Sequence, residues 1–284
     1  MQAWQPYNGN PNTVTGDLLV MRDFYSPQLN NRRDVMVWLP PTYASGDRHY
    51  PVIYMHDGQN LFDLYTSNSG EWEVDETMTA LSSQGVEAII VGLPNMREQR
   101  GTEYSPYPFR IPEGLQVEAR GDAYVRFIAE TVKPLIDAGF RTRTEAAATG
   151  IAGSSMGGLI SLYGFVMYPH VFGLCGAFST AYWFGDNALL ATIQAHADGH
   201  GRVYHDIGMR EGETVAGWFG ISESDGHTVY LQGVRDLQAA LIAKGYKPGD
   251  NLMYVEEKGA IHREHAWAAR FPAAITFLLS EIRG

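Results

Sequence analysis

The chain contains one cysteine, Cys175, so an intrachain disulfide and a cysteine-based zinc cluster are both excluded. It has no Lys/Arg-rich block. Its 21 Lys and Arg stand against 32 Asp and Glu, a formal charge of −11, and without a basic stripe no nucleic-acid partner is expected. Nowhere do about 18 uncharged apolar residues run together, so no membrane span is expected either. The opening segment, MQAWQPYNGNPNTVTG, lacks a basic stretch followed by an apolar one, which reads as an unprocessed soluble chain with the cytoplasm as its default compartment. Fixed-period repeats and low-complexity linkers are missing as well, so nothing divides the chain into modules.

What is present is a core. Of 284 residues, 45% are hydrophobic and 12% aromatic, enough to bury a large interior. Residues 1–16 are polar and rich in Asn, Pro and Gly, and read as an N-terminal arm, a candidate contact for a second copy in a homo-oligomer. Residues 17–284 read as a single domain. Short apolar runs at 34–39, 52–55, 88–91, 147–152, 174–178, 203–207 and 252–255 predict strands, several ended by Gly or Pro. Helical patterns fall at 74–81, 123–136, 156–167, 229–243 and 265–282. Strands alternating with helices imply an α/β fold, a mostly parallel central sheet with helices on both faces, because parallel strands need helical crossovers. Residues 94–122 are too irregular for a strand or a long helix and are expected to form a wall of the functional site.

Gly153-Ser154-Ser155-Met156-Gly157 fits the pattern G-x-S-x-G between a predicted strand and a predicted helix. Small flanking residues suit a strained turn that lifts Ser155 above the sheet edge, and the N–H of Met156 at the helix start can donate to a developing oxyanion. A serine hydroxyl needs a base and a group to orient that base. His262 follows the last predicted strand and is the candidate base, with His265 as the fallback. A metal pair of His262 and His265 lacks a third ligand at motif spacing, so no metal is expected. The acid is sought after the strand at 203–207, where Glu211 is the candidate. Asp206 lies within the strand, where its side chain is less free to reach a histidine. The turn in Tyr54-Met-His-Asp-Gly-Gln-Asn-Leu-Phe-Asp63 offers a second oxyanion donor, a backbone N–H near Gln59, with His56 and Asp57 read as supports of that turn. Tyr104, Trp183 and Trp218 are candidate walls of a substrate pocket, and Arg97, Arg100 and Arg110 candidate anchors for a substrate carboxylate or phosphate.

Six blocks in order, HDGQNLFD (56–63), GEWEVDET (70–77), EYSPY (103–107), GSSMGG (153–158), DIGMREG (206–212) and GAIHREHAWAARFP (259–272), resemble the putative-esterase family of α/β-hydrolases. That family includes esterase D, enterochelin-type esterases, feruloyl and acetyl-xylan esterases and the mycolyltransferases. The resemblance implies an α/β-hydrolase fold without a large cap domain and no metal or other cofactor. It implies Ser155 as nucleophile, Glu211 rather than Glu213 as acid, His262 as base, and the N–H groups of Gln59 and Met156 as oxyanion hole. The expected function is hydrolysis of a small-molecule carboxylic ester through an acyl-enzyme. Acyl transfer to another alcohol and a non-catalytic binding module on the same scaffold are the alternatives.

Overall fold

The computed structural model describes residues 3–112 and 114–282. The first two residues of the predicted arm, residue 113 of the predicted wall and the last two residues of the predicted domain lie outside them. The strands are β1 (Gln5–Pro6), β2 (Asp17–Ser26), β3 (Asn31–Leu39), β4 (Val52–His56), β5 (Ile89–Leu93), β6 (Phe109–Arg110), β7 (Gln116–Val117), β8 (Thr149–Ser154), β9 (Leu174–Phe178), β10 (Arg202–Gly208) and β11 (Leu252–Glu257). The α-helices are α1 (Val74–Ser82), α2 (Arg100–Tyr104), α3 (Gly121–Phe127), α4 (Lys133–Gly139), α5 (Met156–Met167), α6 (Ala188–His196), α7 (Gly212–Phe219), α8 (Glu223–Ala243) and α9 (Glu264–Leu278). A π-helical turn, Ile128–Val132, joins α3 to α4.

Among the described residues one nine-stranded sheet runs in the order β1-β2-β3-β5-β4-β8-β9-β10-β11. From β5 to β11 every neighbour is parallel, while β1, β2 and β3 pair antiparallel at one edge. The central strands read as unbroken apolar runs because both faces are covered. Val35 and Val37 of β3, Val52 and Tyr54 of β4, and Ile89 and Val91 of β5 enter one core with α5 and α8. The alternate residues Met36, Trp38, Ile53, Met55 and Ile90 enter the other core with α1 and α9. The expected fold class is the observed one. The parallel strands end together on one side, and the loops that leave those ends carry the residues of interest.

Two segments gain detail. Residues 94–122 are more ordered than a bare irregular loop, since they contain α2 and the β6–β7 hairpin. The N-terminal segment lies on its own chain. Its β1 extends the sheet edge, Tyr7 donates its phenol to Asp63, Thr13 Oγ1 donates to Glu71 at 3.1 Å, and the Thr15 N–H donates to Asp75 at 2.6 Å.

The arm thus docks on acidic side chains. Glu71, Asp75 and Glu76 each bring a carboxylate oxygen within 4.8 Å of the others. Burial raises Asp75, and it pushes Glu71 up to about 7. A carboxyl raised in the folded state binds its proton more tightly there than in the unfolded chain. Its contribution to stability is therefore full at acid pH and is lost as the pH rises from the ordinary carboxyl range through neutrality. Asp75→Asn imitates the protonated form. Its melting temperature relative to the parent protein should rise between about pH 5 and pH 8, and a difference that is flat in pH would contradict this account.

Candidate active site

β8 ends at Ser154, and Ser155 turns the chain into α5 with φ 58 and ψ −120, a conformation that L residues rarely adopt. The turn is tied on both sides. The Ser155 N–H donates to Phe178 O at 2.9 Å, and its carbonyl accepts from Leu159 at 3.1 Å and Ala181 at 3.0 Å. The glycines around it have a physical cause. A Cβ at Gly153 would meet His56 Cδ2 at 2.8 Å and the Gly157 backbone at 3.1 Å, so the chain packs closely there. His56 itself is buried behind the turn and bonded to Tyr124 OH at 2.9 Å. Burial lowers its pKa to about 3, so it is a neutral packing group.

His262 comes from the segment between β11 and α9. Its Nδ1 lies 2.8 Å from Glu211 Oε2. Glu211, 2% exposed, precedes α7, and its Oε1 accepts from the Gly208 N–H at 2.8 Å and the Ser179 hydroxyl at 2.7 Å. Ser155 and His262 line one cavity of about 260 Å3, with Asp57, Asn60, Asn68, Asn95 and Arg100 on its polar side and Trp267 as its aromatic wall. Glu211 stands behind His262, so one ring nitrogen is committed to the acid and the other is left for chemistry. Gly208 has no room for a side chain, because a Cβ there would sit 2.4 Å from Glu211 Oε1 and 2.6 Å from Ala260 O. Gly208→Ala should therefore displace the acid and cut kcat by about tenfold or more; a full rate in a folded variant would show that the close approach is harmless.

A family model described as "Putative esterase" matches residues 26–278. The chain belongs to this esterase family. It is an enzyme of the esterase type. It is similar to the Bacillus subtilis (strain 168) protein YbbA, 26% identical over 266 residues, 93% of this chain and 99% of that one. It is also similar to the siderophore enterobactin esterase of Emericella nidulans, 26% identical over 176 residues, 58% of this chain and 56% of that one. Among solved structures, an IroE-like serine hydrolase from Shewanella oneidensis superposes with a TM-score of 0.68 at 20% identity, covering 90% of this chain and 78% of that one. The BES protein from Bacillus cereus gives 0.69 at 18% identity, covering 96% and 99%. At such identities the likeness to solved structures speaks for the fold.

The esterase's remaining candidate residues are scattered. Gln59 is half-buried, and its side chain accepts from the Asn95 N–H at 3.1 Å and faces a separate depression, whereas Asp57 and Asn60 of the same turn line the Ser155 cavity. Gly58 permits that turn, since a Cβ there would meet Gly92 C and Leu93 N at 2.7 Å. Tyr104 is fully buried outside the cavity lining; its hydroxyl accepts from the Asp57 N–H at 3.0 Å, and its ring lies under Arg100. Trp183 packs on Tyr230, which in turn faces His262, so it stands one layer behind that imidazole. Trp218 joins Phe109 and Phe184 away from the cavity. Arg97 is exposed and lines the depression that Gln59 faces, and Arg110 is exposed on the β6–β7 hairpin.

Sequence reasoning set Asp57 aside as a support, and the structure makes it a support that also lines the cavity. Asp57 has φ 54, and Arg100 clamps its carboxylate at 2.8 and 2.9 Å while Asn95 donates at 2.6 Å. Burial opposes its charge, but Arg100 and Asn95 outweigh burial and hold it below the usual carboxylate range. Arg100 is thereby engaged by the protein's own carboxylate. Asn95 and Ser179 lie outside the motif blocks, and Trp267 and Arg270 lie inside the 259–272 block without a role assigned there, because the roles of all four arise from contacts distant in sequence.

Proposed function

We propose that the protein hydrolyses a small carboxylic ester through an acyl-enzyme on Ser155. His262 takes the serine proton and returns it to the leaving alcohol, and Glu211 holds the imidazole in the tautomer that leaves Nε2 free to accept. The N–H groups of Met156, at the start of α5, and of Gln59, in the 57–60 turn, receive the oxyanion. Water then attacks the acyl-enzyme with His262 as base. The observation that carries this reading is the 2.8 Å contact between His262 Nδ1 and Glu211, made at the rim of the cavity that Ser155 lines from a positive-φ turn. A modest cavity walled by Asp57, Asn60, Asn68 and Asn95 favours a short or hydroxylated acyl group over a long aliphatic one.

The test joins a covalent probe to a transient. A fluorophosphonate should label Ser155 in the folded protein, and p-nitrophenyl acetate should give a burst of nitrophenol matching the labelled fraction wherever deacylation is slow. A protein that is neither labelled nor active on any short-chain ester would be a binding module, and the proposal would be wrong.

A further inference from the structure

Both oxygens of Glu211 are occupied, and the partner of the second one is itself fully engaged. The Ser179 hydroxyl that lies 2.7 Å from Glu211 Oε1 also lies 2.9 Å from Trp267 Nε1 and 2.9 Å from Arg270 Nη2. An indole nitrogen and a guanidinium nitrogen can only donate. They fill both lone pairs of the serine oxygen, so its single proton has one destination, the carboxylate of Glu211. Arg270 approaches that carboxylate at 3.6 Å and spends its Nε on Asp206 at 2.8 Å. The direct approach is too long for a hydrogen bond, so the hydroxyl is the hydrogen-bonded link between the guanidinium and the acid.

The backbone of Ser179 is fixed with equal care. It follows β9 directly and sits at φ 45, which an L residue adopts only when its surroundings impose it. Its N–H donates to the carbonyl of Asp206 at 3.1 Å and to the Asp206 carboxylate at 3.0 Å, and its carbonyl accepts from the Tyr230 phenol. The residue before it, Phe178, accepts the Ser155 N–H. One strand end therefore anchors both the turn bearing the nucleophile and the hydroxyl behind the acid.

We propose that Ser179 is a positioning residue that aims Glu211 at His262 by donating the one proton its neighbours leave it. The proposal rests on the reading of Ser155, Glu211 and His262 given above. The charged and titratable groups around Ser179 are Glu211 ahead of α7 and Arg270 on α9, which bond to its hydroxyl, and Asp206 on β10 and Tyr230 on α8, which bond to its backbone.

The test uses Ser179→Ala, Ser179→Gly and Ser179→Cys in the full chain, with melting curves to confirm folding. Ala and Gly should each lower kcat on p-nitrophenyl acetate by about ten- to a hundredfold with KM little changed, and Cys, a weaker donor, should recover part of the loss. The His262 Nδ1 proton should move in the NMR spectrum of the Ala variant. Gly also relieves the positive φ, so recovery by Gly alone would assign the effect to backbone strain and overturn the proposal, as would a wild-type kcat in either Ala or Gly. Glu211→Ala, which leaves no oxygen for the Ser179 proton, separates the two levels. If that variant keeps the wild-type rate, the reading of the acid fails whatever Ser179 does. If it is impaired and adding Ser179→Ala lowers the rate no further, the serine acts through Glu211; an additive loss would place its effect elsewhere and overturn the proposal.

Discussion

Ser155→Ala is expected to lower kcat for p-nitrophenyl acetate by about 10⁴-fold or more, with the melting temperature nearly unchanged. The substitution removes the hydroxyl of the positive-φ residue that lines the cavity while keeping a side chain there. The turn should persist because its backbone bonds, from Ser155 N–H to Phe178 and from Leu159 and Ala181 to the Ser155 carbonyl, do not involve the hydroxyl. Residual rate above the uncatalysed reaction would come from oxyanion donors and binding alone. Steady-state assay with fluorophosphonate labelling checks the result, and a variant retaining the parent rate would remove Ser155 from the chemistry.

His262→Ala should cost about as much, because a nucleophile without its base is as weak as a base without its nucleophile. Glu211→Gln should cost about ten- to a hundredfold less, since the acid orients the imidazole and stabilises its charge but forms no bond to the substrate. Gln also retains an oxygen that accepts from Ser179 and Gly208. The three rates measured side by side on one ester test the division of roles. An acid variant slower than the base variant would reverse it.

Much of this architecture could be read from the chain before any coordinates. The strand at 174–178 and the helix at 156–167 fall where their periodicity puts them, because a buried parallel strand and a helix opening on small residues each carry a local signal. β2 escaped notice for the opposite reason. A register shift between Met21 and Phe24 breaks its alternation, and its pairing is decided by β3 rather than by its own pattern. α6 and α7 are short, with an αL Asn187 at the start of one and glycines within the other, so pattern alone does not announce them. At the site the same division holds. Ser155, Glu211 and His262 lie in segments whose type and order restrict the choice, and the fold brings His262 against Glu211 at the cavity of Ser155. Tyr104 and Trp183 were chosen for aromatic bulk, and bulk more often fills a core than faces a ligand, as both do here.

Among the described residues β1 pairs with β2 at Leu19 and Val20, next to the shift in register between Met21 and Phe24. The edge of a sheet is where another copy could add a strand. Here the irregularity between Met21 and Phe24 twists the margin, and exposed Arg22 and Asp23, paired with Asp34 and Arg32, place charge along it. An incoming strand would have to bury those ion pairs, and the molecule thereby discourages its own aggregation at this edge.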